Sequence, residues 1–466
     1  MGKVQKAVIC IVIGALFWII PVPTGVKVEA WRLLGIFIAT IAAFILQPLP
    51  IGAVAFISLV VTNLSGVLKL GDVLSGFSNG TIWLIVSAFL FAKGFIKTGL
   101  GRRIAYVVMR SIGDSTLKLG YAMLLSDLII APATPSNTAR AGGVLFPILR
   151  GLASAFGSEP GPSARRIGSF LMVSTYQCVV ISSAMFVTAC APNSLVVLLA
   201  AQTAKVDITW GGWALAAMGP GIISLVLVPY IVYKLYPPEI TKTPEAKVIA
   251  AQELDKMGAI SYAEKVVAGV FLAALFFWST SQWTKLDATI VAMAGVAIML
   301  GLRALEWNDV LEEKGAWDTM IWMGTLVSLA GALTKLGLIG WFAKSVGSAM
   351  AGVAWWVALL GLVLIYIYSH YGFASVSAHV TAMYAAFLAV AVAAGAPPYL
   401  AAVALAFATN LCSGLTHYAM GPAPIFFGAG YVSQADWWRI GFILSLVHIA
   451  IWYGFGWVWW KLLGLW

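Results

Sequence analysis

The chain has 466 residues, of which 61% are apolar and only 10% carry a full charge. A water-soluble domain carries about a quarter charged residues, so a soluble globular enzyme and a disordered chain are both excluded. The net charge of +10, from 28 basic and 18 acidic residues, does not call for nucleic acid. In a membrane protein it reflects cytoplasmic lysine and arginine, or a pathway that attracts anions. The apolar runs are long rather than alternating, which predicts an all-α polytopic membrane protein and not a barrel. The 46 glycines suit close helix packing in lipid. Cys10, Cys178, Cys190 and Cys412 have no disulfide or metal-ligand spacing.

In chain order, the first span is 8–20. Lys3 and Lys6 precede it and no small-residue cleavage pattern follows, so its start is placed in the cytoplasm. Spans at 31–48, 51–67 and 81–96 come next. The basic stretch with Lys97, Arg102, Arg103, Arg110 and Lys118 is then cytoplasmic. The apolar region 119–149 is interrupted by Asp127, Pro132, Pro135, Ser136, Asn137 and Arg140 and returns to basic residues. It reads as a re-entrant hairpin. Residues 167–205 are too many for one span of about 20 residues. They contain Pro192 and Asn193, and read as a broken helix. A span at 213–233 closes a first half, 1–233. A polar cytoplasmic linker, 234–265, leads to a second half, 266–466. That half holds spans at 266–283, 287–303 and 317–334, a hairpin at 355–395, a broken span at 399–432 and a last span at 440–460. The sum is eleven spans and two hairpins, with a cytoplasmic N-terminus and a C-terminus outside.

The halves match in order. Thr81, Lys97, Gly99 and Leu100 answer to Thr319, Lys335, Gly337 and Leu338. Ser136-Asn137-Thr138-Ala139-Arg140 answers to Ser375-Val376-Ser377-Ala378-His379, and Ala191-Pro192 to Gly421-Pro422. By span counting, the first hairpin enters from the cytoplasm and the second from outside. Two related halves of opposite topology, with broken helices at corresponding positions, are the architecture of a secondary transporter. The absence of a G-x-x-x-x-G-K-[ST] loop argues against ATP-driven transport. A channel would leave the paired breaks unexplained, and an acid–base set of Asp127, His379 and His417 lacks a nucleophile or metal motif to support an enzyme.

The interruptions carry the candidate chemistry. Serine, asparagine and threonine cap helix N-termini, so Ser136, Asn137 and Thr138 would free backbone N–H groups to face an anion. The oxygens of Ser136 and Asn137 could equally coordinate Na⁺. Ser375 and Ser377 are their counterparts. Arg140 and His379 each lie two residues past a hydroxyl residue, and would place positive charge near the midplane. Asp127 is a candidate partner for Arg140 when no substrate is present. Asn193 beside Pro192, and Thr416, His417 and Pro422 around the second break, complete the set.

These residues resemble the divalent anion:sodium symporter family. Ser136-Asn137-Thr138 matches its hairpin signature. Tyr368-Ser369-His370-Tyr371 and Gly414-Leu415-Thr416-His417-Tyr418, with Gly421-Pro422-Ala423-Pro424-Ile425, are similar to its bacterial dicarboxylate, citrate, tartrate and 2-oxoglutarate/malate branch. The resemblance implies a homodimer in the bacterial inner membrane, each protomer having a scaffold part and a transport part that moves like an elevator. It implies a di- or tricarboxylate bound between the two hairpin tips and the broken helices. In the symporter branch both hairpins read Ser-Asn-Thr and flank sodium sites. Here the second reads Ser375-Val376-Ser377, and valine offers sodium no amide oxygen. Obligate exchange, with Arg140 and His379 as fixed positive charges, is therefore the expected mechanism, and sodium-coupled symport is the alternative.

Overall fold

The computed structural model describes residues 2–338, 340–342, 345 and 353–466. Nine of the described helices are long and apolar enough to cross a membrane, and four shorter apolar helices accompany them. The only β feature among the described residues is an isolated bridge between Ser115 and Lys242. The chain is thus an all-α, multi-pass membrane protein.

Local sequence sets where many helices start. Asn79, Ser115, Thr209, Ser261, Asp287 and Ser433 each accept a hydrogen bond from a backbone N–H two or three residues on. This satisfies donors that a helix start leaves open, which matters most where water is scarce. The basic stretch after the fourth span is itself a helix, Leu100–Ile112, a structure the positive charges alone did not announce. It packs on Pro244–Met257 in the polar linker. Arg103 also holds Glu264, at the start of the following helix Tyr262–Ser279, at 2.6 Å.

The helices form two groups. Lys3–Ile19, Val28–Leu46 and Ile51–Leu64 pack in series, then meet Lys314–Lys335, which continues to Gly80–Thr98, Ala288–Gly301 and Tyr262–Ser279. The second group surrounds Gly168–Met185, every residue of which is buried. Thr116–Ile130, Trp210–Leu235 and Pro398–Leu411 pack against it. The central helix keeps polar groups inside because each of several has a backbone partner. Tyr176 donates to the Ser413 carbonyl at 2.6 Å, and Gln177 to that of Gly414 at 3.0 Å.

Both interrupted regions of each half share one internal order. In 119–149, Thr116–Ile130 ends in a tight turn, Ala131–Ala133, and the chain continues as a wide π-turn segment, Thr138–Leu145, leading into Phe146–Ala155. In 355–395, Trp355–Ser369 ends in the turn His370–Gly372 and a helix starts again at Val376, with its wide turn at Val380–Tyr384. The long segment 167–205 breaks between Gly168–Met185 and Ala191–Ala204. Pro192 stands in the first turn of the new helix, where its missing N–H costs nothing. The other breaks between Pro398–Leu411 and Pro422–Gly428.

Candidate functional site

A cavity of about 290 Å³ lies where the four interruptions meet. Ser136, Asn137 and Thr138 from the first hairpin and Ser375, Val376 and Ser377 from the second line it. Cys190, Ala191 and Pro192 come from the first break, and Met420 and Gly421 from the second. All four contributions are helix starts. Asn137 precedes Thr138–Leu145, Ser375 caps Val376, Cys190 precedes Ala191–Ala204, and Gly421 precedes Pro422–Gly428. A helix start carries a partial positive charge on its open N–H groups. Phe89, Thr319 and Trp322 close the cavity from the other helix group, so it sits on the boundary between the two. Among the described residues, no Asp, Glu, Lys, Arg or His lines it.

The tips are held by short contacts. Ser136 Oγ accepts from the Ala139 N–H at 3.1 Å, and Ser375 Oγ accepts from that of Ala378 at 3.5 Å. The Asn137 amide nitrogen lies 3.4 Å from Cys190 Sγ and 3.2 Å from Met420 Sδ, so one side chain touches both breaks. A Cβ at Gly421 would collide with Thr138 Oγ1, so the close approach of hairpin and break depends on that glycine.

Arg140 lies off the cavity and is fully enclosed. Its Nε donates to Asp127 at 2.6 Å. Nη1 reaches the carbonyls of Thr134 at 2.8 Å and Ala189 at 3.0 Å, and Nη2 reaches Ser183 at 3.1 Å. Ser182 closes the ring with a contact to Asp127. The guanidinium therefore joins both arms of the first hairpin to the first break. His379 is also off the cavity, 3.0 Å from Ser369 Oγ and packed among Tyr366, His370 and Phe373. Asn193 accepts from the Asn410 amide at 2.7 Å and donates to the carbonyls of Ser183 and Phe186, so it links the two breaks. His417 accepts from Trp438 at 3.0 Å and packs against the Phe427 ring, tilted, at 4.4 Å between centroids. Thr416 is buried with no hydroxyl partner among the described residues. Pro422 is buried at the start of its helix, beside the lining Gly421.

Five of the sequence candidates thus line one cavity: Ser136, Asn137, Thr138, Ser375 and Ser377. The others stand behind it. A helical rule accounts for two of these. Arg140 is two residues past Thr138, and His379 two past Ser377, which is roughly 200° around a helix. If the hydroxyls face the cavity, the basic side chains face away. Phe89, Trp322 and Met420 lacked any sequence signal, since an apolar side chain in an apolar helix is the expected background. Thr319 stood out only as a repeat partner.

The comparisons agree with this architecture. The family model described as "Sodium:sulfate symporter transmembrane region" matches residues 2–466. The chain is 51% identical over 465 residues to the "Putative malate transporter YflS" of Bacillus subtilis, covering 100% of this chain and 97% of the relative. It is 45% identical to "Dicarboxylate transporter 1, chloroplastic" of Arabidopsis thaliana, covering 100% of this chain and 84% of the relative. The solved structure of the Alcanivorax borkumensis YdaH transporter has a similar fold, with a TM-score of 0.55 at 13% identity over 85% of this chain and 89% of that one. A family match over nearly the whole length, and relatives this similar end to end, leave one conclusion: the chain belongs to the divalent anion:sodium symporter family and is a membrane transporter, not an enzyme.

Proposed function

We propose that this protein carries dicarboxylates and tricarboxylates across the bacterial inner membrane by obligate exchange, the substrate moving with an elevator-like transport part. The substrate class covers malate, succinate, fumarate, tartrate, 2-oxoglutarate and citrate. The names of the relatives, a putative malate transporter and a chloroplastic dicarboxylate transporter, support the carboxylate class. A further relative, 40% identical, is an "Inner membrane protein" of Escherichia coli, which supports the location. The single observation that carries the reading is the convergence of four helix starts on one cavity that, among the described residues, has no lining anionic side chain. Open N–H groups and hydroxyls there suit the two carboxylates of a dianion.

In this reading, residues 119–149 and 355–395 are re-entrant hairpins of opposite topology, and the eleven spans form an inverted repeat. The N-terminus is cytoplasmic and the C-terminus outside. The group containing Lys3–Ile19 and Lys314–Lys335 is the scaffold and carries the homodimer contact. The group around Gly168–Met185 is the transport part. Arg140 and His379 act from behind the cavity by holding its walls, Arg140 through Asp127. Fixed partial charge favours exchange, because among the described residues no anionic side chain lines the empty cavity to offset the positive helix starts as it crosses the membrane.

Sodium-coupled symport is the second reading, favoured by the oxygens of Ser136 and Asn137 at the cavity wall. Counterflow in proteoliposomes separates the two. Vesicles loaded with unlabelled malate should take up labelled dicarboxylate in the absence of sodium, and unloaded vesicles should not. Rapid uptake into unloaded vesicles driven by a sodium gradient would replace exchange with symport. No saturable uptake of any di- or tricarboxylate in either arm would overturn the substrate class.

A further inference from the structure

The sequence spacing of the cysteines points to no metal, yet the fold brings His370, His379 and Cys412 together behind the cavity. One nitrogen of each histidine and Cys412 Sγ all lie within 4.8 Å of one another. All three residues are fully buried, and none lines the substrate cavity. We propose that they form a binding site for a soft monovalent cation, Cu(I).

The hydrogen bonds fix which nitrogens are free. His370 Nε2 lies 3.1 Å from the Ala419 carbonyl. A carbonyl only accepts, so Nε2 carries the proton and Nδ1 keeps its lone pair. That Nδ1 is buried with no partner among the described residues. Ser369 Oγ has two acceptors for its single proton, the Tyr366 carbonyl at 2.8 Å and the weaker Met383 Sδ at 3.2 Å, and with that proton on the carbonyl it accepts from His379 Nε2 at 3.0 Å. His379 Nδ1 is then also a lone pair, 3.8 Å from Cys412 Sγ. Bonds of about 2.1 Å to nitrogen and 2.3 Å to sulfur at a tetrahedral or trigonal ion put the two ligands about 3.6–3.8 Å apart. A carbonyl and a hydroxyl orienting the far nitrogens is the outer arrangement that metal-bound histidines use.

Charge selects the ion. Binding replaces the Cys412 proton, which leaves to solvent, so a monovalent ion and one thiolate give a neutral complex. A divalent ion would leave a net positive charge in a buried, ring-lined site, which is costly. Imidazole and thiolate ligands in a three-coordinate set suit Cu(I). A bound ion would tie the turn of the second hairpin region, its re-entering arm and the start of the second break to one point.

The test uses Ag⁺, a redox-inert stand-in, on the full chain purified in detergent with Cys10, Cys178 and Cys190 replaced by serine. About one Ag⁺ per chain should survive gel filtration and raise the melting temperature, and Cys412→Ser should abolish both effects. His370→Phe and His379→Phe should each weaken binding by about tenfold or more. If the triple-serine chain does not fold, Cys412→Ser in the unmodified chain should remove one equivalent of retained Ag⁺, and each histidine substitution should make that equivalent labile. Retention unchanged by Cys412→Ser, or dependent on Cys412 but on neither histidine, overturns the proposal.

Discussion

Asp127 and Arg140 form an ion pair with no solvent exposure on either side chain. Such a pair is held by completeness rather than by attraction alone, because desolvation cancels much of the Coulomb gain. Removing one partner leaves the other charged and buried. Asp127→Asn should therefore destabilise the protein by about 3–5 kcal/mol, measured by denaturant unfolding in bicelles. Arg140→Lys should not restore what Arg140→Ala loses, since an ammonium cannot reach Asp127, Thr134 and Ala189 with one planar fork. Melting within 1 °C or so of the parent in these variants would contradict the strut. A second residue-scale test concerns Gly421. Gly421→Ala should cost about 1–3 kcal/mol and slow transport, because the methyl meets Thr138 Oγ1. Adding Thr138→Ala should recover part of both losses, and a double variant no better than the single one would contradict that contact.

Between elements, the two breaks are joined by Asn193 and Asn410, both buried. Each single change to leucine leaves polar groups of the partner unpaired, at about 1–3 kcal/mol. The pair changed together should cost clearly less than the sum, by about 0.5–3 kcal/mol in a double-mutant cycle. Additive costs would mean the breaks are not coupled through this contact. The breaks and turns themselves were legible because a cap or proline inside an apolar run has few other readings in lipid. Pro192 and the Ser136 and Ser375 caps fell at the helix starts they announced. The facing of Arg140 and His379 was harder to see. A buried arginine in a polar wall and one in a substrate cavity carry the same sequence signal: Asp127, 13 positions away, was legible as the partner of Arg140, but the Ala189 carbonyl, 49 positions away, was not. The metal-ligand cluster was illegible for the same reason: His370, His379 and Cys412 meet only after the second break folds against the hairpin turn.

For the molecule as a whole, the two halves contribute equally to the lining of one cavity. Its cavity takes residues from each half and from both helix groups. Hydropathy marks the apolar segments but not their number: against the eleven spans and two hairpins expected, nine described helices meet the length and composition for crossing and four shorter apolar ones accompany them. It does not reveal which segments pack together, and so not that the four helix starts share one space. The most direct measurement is equilibrium binding of malate to purified protein carrying Ser136→Asp or Ser375→Asp. Aspartate caps a helix as well as serine does, so melting temperature should hold, while its charge opposes a dianion. Each substitution should weaken malate binding by about tenfold or more. Malate affinity unchanged by either one, in a protein that still melts like the parent, would mean that the substrate does not lie at the shared helix starts.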